Sequence, residues 1–185
     1  MKKIAVFLDR DGTINEEMGY INHPSRFLLL PRTAAAIKRL NDAGVKVVVV
    51  TNQSGAARGY FPASLVAEVH DRLRQLLAGE GAHVDGIYTC LHGPQEGCAC
   101  RKPQPGLILQ AAQELDIDLS RSYVVGDRYK DIQTGAQAGV KGILVLTGYG
   151  RGEYEHFGRT WEVQPAYIAK DLLEAAGWII EGLRK

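Results

Sequence analysis

Ile4-Ala5-Val6-Phe7-Leu8-Asp9-Arg10-Asp11-Gly12-Thr13 is the stretch that decides the fold. Five consecutive apolar residues with no polar alternation read as a strand covered on both faces. An acidic pair and Gly-Thr follow at once, so the strand ends on oxygen-bearing side chains. Four later runs read the same way: Val45–Val50, Gly86–Leu91, Tyr123–Val125 and Ile143–Leu146. Amphipathic stretches separate them. The clearest carries Leu65, Val66, Val69, Leu73, Leu76 and Leu77 at spacings of three and four, which is one face of a helix. Further helices are predicted near Thr33–Ala43, Pro105–Leu115 and Lys130–Ala138, with a last one near Ala166–Leu183. Strand and helix in repeated alternation imply α/β architecture, a doubly wound parallel sheet.

The chain has 185 residues. That length suits a single domain over 1–185 and can bury a real core. Lys plus Arg is 22 and Asp plus Glu is 21, a formal net charge of +1. This balance argues against a general nucleic-acid binder, which carries a basic excess. No apolar run approaches the ~18 residues of a membrane span. Lys2 and Lys3 precede only the five apolar residues Ile4–Leu8, too few for a signal-peptide core. No nucleic acid and no membrane partner is therefore expected, and a cytoplasmic location is.

In an open parallel sheet ligands bind at the C-terminal strand ends. Asp9 and Asp11 follow the first predicted strand, Thr51, Asn52, Gln53 and Ser54 the second, and Asp127 and Asp131 the fourth. Each motif alone has a plain reading: an acidic turn, a helix cap, a surface basic pair at Arg101-Lys102. Together they deliver a carboxylate pair, hydroxyl and amide groups and a lysine to one edge. One of two carboxylates in such a pair can attack an electrophile while the other moves a proton.

The three cysteines Cys90, Cys98 and Cys100 lie within eleven residues and form, with His92, the pattern C-x-H-x5-C-x-C. An odd count is no complete disulfide framework. A core cysteine or a redox pair are the plain alternatives, but two close pairs around a short Gly- and Pro-containing loop suit one tetrahedral Zn²⁺ with no open position, a structural site.

The order of DxDGT (Asp9–Thr13), strand-end Thr51, Lys102 and GDxxxD (Gly126–Asp131) resembles the haloacid dehalogenase superfamily of phosphotransferases. The resemblance implies a HAD-like Rossmannoid fold and a magnesium-dependent aspartyl-phosphate mechanism. It makes Asp9 the nucleophile and Asp11 the general acid and base. Mg²⁺ would be held by Asp9, Asp127 and the main-chain carbonyl of Asp11, with Thr51 and Lys102 on the phosphoryl oxygens. Asp131 is expected to orient Lys102 or a metal-bound water.

The segment between Gly12 and Pro31 is too short for a large cap domain, so loop inserts must select the substrate. The zinc loop with DRDGT and RKP narrows the resemblance to a branch holding histidinol-phosphate phosphatases and heptose-bisphosphate phosphatases. Thr51-Asn52-Gln53-Ser54-Gly55-Ala56-Ala57-Arg58-Gly59-Tyr60-Phe61 resembles the heptose enzymes, which implies removal of a 7-phosphate in heptose precursor synthesis for lipopolysaccharide or surface glycans. By that resemblance Glu17, Met18, Gly19, Tyr20, Asn52, Gln53, Ser54, Arg101 and Arg128 meet a small sugar-phosphate substrate. Arg58 is either a contact to a second phosphate or a solvated arginine at a helix start. Gly148–Gly152 lacks the Walker pattern and reads as a flexible connection. A monomer is expected. A phospho-accepting signalling receiver is the alternative from another class. It too uses strand-end carboxylates, a Thr and a Lys, but keeps its acidic pair apart from the nucleophile.

Overall fold

The computed structural model describes residues 2–184. Its strands are β1 (Ala5–Leu8), β2 (Lys46–Asn52), β3 (Gly86–Cys90), β4 (Tyr123–Gly126), β5 (Lys141–Val145) and β6 (Tyr167–Ala169). The helices are α1 (Thr33–Asp42), α2 (Ser64–Gly79), α3 (Gly106–Glu114), α4 (Tyr129–Ala138), α5 (Gly150–Phe157) and α6 (Leu172–Leu183). The strands form one six-stranded sheet in the order β3-β2-β1-β4-β5-β6. Every pairing within it is parallel.

The unbroken apolar runs are explained by cover on both faces. Along β1, Val6 and Leu8 point into one core cluster and Ala5 and Phe7 into the other. Along β2, Val47 and Val49 face the first and Val48 and Val50 the second. The first layer is packed by Ile37 and Leu40 of α1, Leu73 and Leu77 of α2, and Ala176 and Ile179 of α6. The second is packed by Leu107, Ile108 and Ala111 of α3 and by Ala138 of α4. Burying one such Val, Leu or Phe side chain stabilises the fold by about 1.5–3 kcal/mol. Among the described residues no helix is long and apolar enough to cross a membrane.

Two elements differ from the sequence expectation. The final helix begins at Leu172, not near Ala166, because Tyr167–Ala169 pairs with β5 as a sixth strand. The stretch Gly148–Gly152, read as a flexible connection, instead closes onto the sheet edge and starts α5 at Gly150. Gly150 fits there because a Cβ would strike the Val145 carbonyl.

β1 lies between β2 and β4, so the chain leaves it in one direction first and returns later on the other side. The crevice beyond the C-terminal ends of β1 and β4 is the switch point of the sheet, where such folds bind ligands.

Candidate active site

Asp9 leaves β1 and Asp127 leaves β4, and both are buried. Asp131 sits in the first turn of α4, where its Oδ2 accepts from the Arg128 main-chain N–H at 3.1 Å. Lys102 reaches in from the loop after β3. Its buried Nζ donates to Asp9 Oδ1 at 2.5 Å and to Asp131 Oδ1 at 2.6 Å. The structure thus places Asp131 as a brace for Lys102, one of its two expected positions. Burial would lower the Lys102 pKa, but Asp131 and Asp9 outweigh it and hold the ammonium charged.

Two of the three clustered carboxylates share this one lysine. Burial, set against Lys102 and reinforced by Asp131, brings Asp9 up to about 6. Burial, then the charges of Asp9 and Asp131, brings Asp127 up to about 8. Oxygens of Asp9, Asp127 and Asp131 lie within 4.8 Å of one another. Asp127 Oδ2 accepts from the Tyr149 N–H at 2.8 Å, while its buried Oδ1 has no hydrogen-bond partner. A crowded set of anionic oxygens with one buried lone pair unused fits a hard divalent cation such as Mg²⁺. Room for Asp127 comes from two glycines, Gly12 and Gly148, both at positive φ. A Cβ on either would collide with the Asp127 carboxylate.

Asp11 points away from this cluster. Its Oδ1 accepts from Arg10 Nη2 at 2.8 Å and Asn15 Nδ2 at 3.0 Å, and its Oδ2 from Gln53 Nε2 at 2.7 Å. Burial would raise its pKa, but Arg10 and these donors outweigh it and hold it below the usual carboxylate range. The side chain of Asp11 is thus committed elsewhere, while Asp131 supplies the third clustered carboxylate. Gln53 also donates to Thr51 Oγ1 at 3.0 Å, which makes that hydroxyl an acceptor there and leaves its own proton to give elsewhere.

The cleft over these groups has a volume of about 280 Å³. Its walls include Glu17, Gly19, Tyr20, Asn52, Ser54, Arg58, Arg101 and Arg128. Met18 is not among them and packs against the larger core cluster instead. Asn52 holds the main chain of Lys102 from both sides, at 3.0 and 3.2 Å. Arg128 donates from Nε to Glu153 at 2.7 Å and lies 4.7 Å from the Tyr149 ring centroid, a cation–π arrangement. Arg58 sits in the turns before α2, with its Nε 3.5 Å from Ser54 Oγ. Sequence reasoning missed Lys130 and Tyr149, which also line the cleft. Lys130 follows Asp127 by three, and that proximity in GDxxxD was its available signal. Burial lowers its pKa.

Cys90 ends β3 and is buried, and Cys98 and Cys100 fold back over it. The three sulfurs lie 2.9–3.6 Å apart, and His92 Nδ1 is 3.5 Å from Cys90 Sγ and 3.2 Å from Cys100 Sγ. Burial opposes the Cys98 thiolate, but hydrogen bonds from Cys100 and Cys90 outweigh it and bring its pKa to about 7. One thiolate already favoured and four donors of thiolate and imidazole type match a tetrahedral soft-metal site. The loop closes at Gly106, whose N–H donates to the Ala99 carbonyl at 3.0 Å.

This geometry has close counterparts. The HAD-hydrolase-like family profile matches residues 99–175. The D-glycero-D-manno-heptose-1,7-bisphosphate 7-phosphatase of Thermosynechococcus vestitus is 44% identical over 194 residues, covering 97% of this chain and 96% of that protein. The chain belongs to the heptose-1,7-bisphosphate 7-phosphatase family. It is accordingly a phosphoric monoester hydrolase of the HAD fold. A second member of this phosphatase family, from Bordetella bronchiseptica, is 44% identical over 147 residues, covering 79% of this chain and 82% of its own. The crystal structure of D,D-heptose 1,7-bisphosphate phosphatase from B. bronchiseptica, complexed with magnesium and phosphate, superposes with a TM-score of 0.89 at 40% identity. It covers 98% of this chain and 99% of that one.

Proposed function

We propose that this protein removes the 7-phosphate of D-glycero-D-manno-heptose 1,7-bisphosphate through an aspartyl-phosphate on Asp9, acting as one domain without a large cap. The observation that carries the reading is the surplus of cations in the cleft. Lys102 serves the reacting phosphate, yet Arg58, Arg101, Arg128 and Lys130 also line the walls. A second phosphate on the same substrate uses them, and the relatives are named for such a substrate.

In the first half-reaction a carboxylate oxygen of Asp9 attacks phosphorus, and the P–O bond to the sugar breaks. Asp11 gives its proton to the departing oxygen. Asp11 is a carboxylate in the free protein; like-charge repulsion from an approaching phosphate dianion raises its proton affinity, so it takes a proton from solvent before giving it to the departing oxygen. In the second half-reaction Asp11 takes a proton from the attacking water, and inorganic phosphate leaves with Asp9 restored. Thr51 donates its free hydroxyl proton to a phosphoryl oxygen, and Lys102 neutralises another. Mg²⁺ held by Asp9, Asp127 and the Asp11 carbonyl would screen the nucleophile from the phosphate it approaches.

Cys90, His92, Cys98 and Cys100 hold a structural Zn²⁺ in this reading. It ties the end of β3 to the segment that carries Arg101 and Lys102, which has little apolar packing of its own.

A panel of heptose 1,7-bisphosphate anomers, their 1-phosphates and histidinol phosphate tests the proposal, with 31P NMR to follow each phosphate. The C7 signal is expected to vanish while the C1 signal stays. Faster turnover of histidinol phosphate would overturn the assignment.

A further inference from the structure

We infer that His70, on α2, is a positioning residue for proton transfer by Asp11, acting through Arg10. The inference rests on the reading of Asp11 as the group that protonates the leaving oxygen. Arg10 is the largest side chain in the fully buried core, at 2% exposure. One edge of its guanidinium grips Asp11: Nη2 lies 2.8 and 3.0 Å from the two carboxylate oxygens, and Nε 3.3 Å from Oδ1. The opposite nitrogen, Nη1, faces His70 Nε2 at 3.3 Å, sixty residues away in the chain. The Phe27 ring lies 5.8 Å from Cζ.

Arginine can only donate. His70 Nε2 must therefore present its lone pair, so the ring is neutral with its proton on Nδ1. His70 is buried, faces the cations of Arg10 and Arg74 and the carboxylates of Asp11 and Asp71, and has its pKa depressed to about 4 by burial and then by Arg10. A planar guanidinium held at both edges has one orientation. Without the His70 lone pair, Nη1 is left buried and unpaired, and the plane turns to find another acceptor. Asp11 then loses the alignment that aims its proton at the leaving oxygen. This chain of contacts makes no hydrogen bond to Asp9 or Lys102, and Asn15 and Gln53 still hold Asp11 and Gln53 still holds Thr51, so the larger effect falls on proton delivery.

The test uses leaving groups. A sugar alkoxide needs a proton as it departs, whereas 4-nitrophenolate does not, and kcat/KM reports only steps through that departure. His70→Leu is expected to lower kcat/KM for heptose 1,7-bisphosphate ~10–100-fold and for 4-nitrophenyl phosphate less than ~3-fold. His70→Gln, whose Oε1 reaches the place of Nε2, should return the sugar substrate to within ~3-fold of wild type. If His70→Leu fails to fold, His70→Asn, too short to reach Arg10, takes its place. Asp11→Asn is measured alongside. Equal losses on both substrates for His70→Leu, with a leaving-group-dependent loss for Asp11→Asn, overturn the His70 inference alone. No leaving-group dependence in Asp11→Asn overturns the Asp11 reading and the inference with it.

Discussion

The side chain of Asn52 and the main chain of Lys102 exchange two hydrogen bonds, Lys102 N–H to Asn52 Oδ1 at 3.0 Å and Asn52 Nδ2 to the Lys102 carbonyl at 3.2 Å. Asn52 ends β2, so a rigid strand fixes a loop residue that has no secondary structure of its own. Asn52→Leu removes both bonds and leaves the loop groups without partners, at about 1–3 kcal/mol each where buried. A ~10–100-fold fall in kcat is expected, with the melting temperature lowered by roughly 4–24 °C if both groups stay buried. Steady-state kinetics beside thermal denaturation check it.

Asp9→Asn should lose at least ~10³-fold in phosphate release while remaining folded, since an amide is no nucleophile for phosphorus. The variant also relieves crowding among Asp9, Asp127 and Asp131, so its stability without metal is expected to equal or exceed wild type. Near-normal phosphate release by a folded sample free of deamidation would sink the nucleophile assignment.

Magnesium binding should release protons. Without the ion, Asp127 titrates at about 8 and Asp9 at about 6. A cation takes the deprotonated forms, so affinity rises with pH between those values and flattens above them. Calorimetry at pH 7 in buffers of different ionisation enthalpy is expected to find about one proton released per ion. No buffer dependence would contradict the crowded-carboxylate picture.

One tightly held zinc per chain is expected by elemental analysis of protein prepared without chelator. Cys98→Ser should lose the metal and lower the melting temperature. Activity at saturating Mg²⁺ should fall with it, because Arg101 and Lys102 follow Cys100 directly. Zinc-free protein from zinc-replete cells would count against the site.

His70 gives a pH signature in stability. Its pKa is about 4 in the folded chain against 6.5 for the free group. Between these values the unfolded chain takes a proton that the folded chain refuses. Stability therefore falls as pH drops from about 6.5 and levels off below about 4, an effect of up to about 3 kcal/mol. Urea unfolding of wild type and His70→Gln across this range should show that slope in the difference between them.

The parts of the fold written as continuous apolar runs were legible because burial on both faces leaves no room for polar residues. β6 was not: Tyr167–Ala169 is three residues long, and its Tyr, Ile and Ala fit the start of a helix as well as a strand. α5 was hidden by Gly150 and Gly152, which weaken helix propensity, though Gly150 is needed for close approach to Val145. In the site, motif order assembled Asp9, Asp127, Asp131 and Lys102, because strand ends converge in a parallel sheet. Met18 carried no signal to separate it from its neighbours: Glu17, Gly19 and Tyr20 line the cleft, while Met18 packs against the larger core cluster. The partner of Arg10 carried no local signal: His70 lies on a helix whose period reads simply as core.

The strand order also sets when the protein becomes competent during synthesis. β1, β2 and β3 are neighbours in space and adjacent in sequence, so one half of the sheet can assemble as the chain emerges. Asp9 is among the first residues made, yet Asp127 and Asp131 arrive only after some two-thirds of the chain. Until β4 docks beside β1 and α4 follows it, the early carboxylate has Lys102 within the emerged chain but lacks Asp127 and the Asp131 that braces that lysine. A ribosome-stalled fragment ending before Tyr123 would thus display the nucleophile without the means to use it, and function would switch on only as β4, α4 and the Gly148–Tyr149 turn come into place.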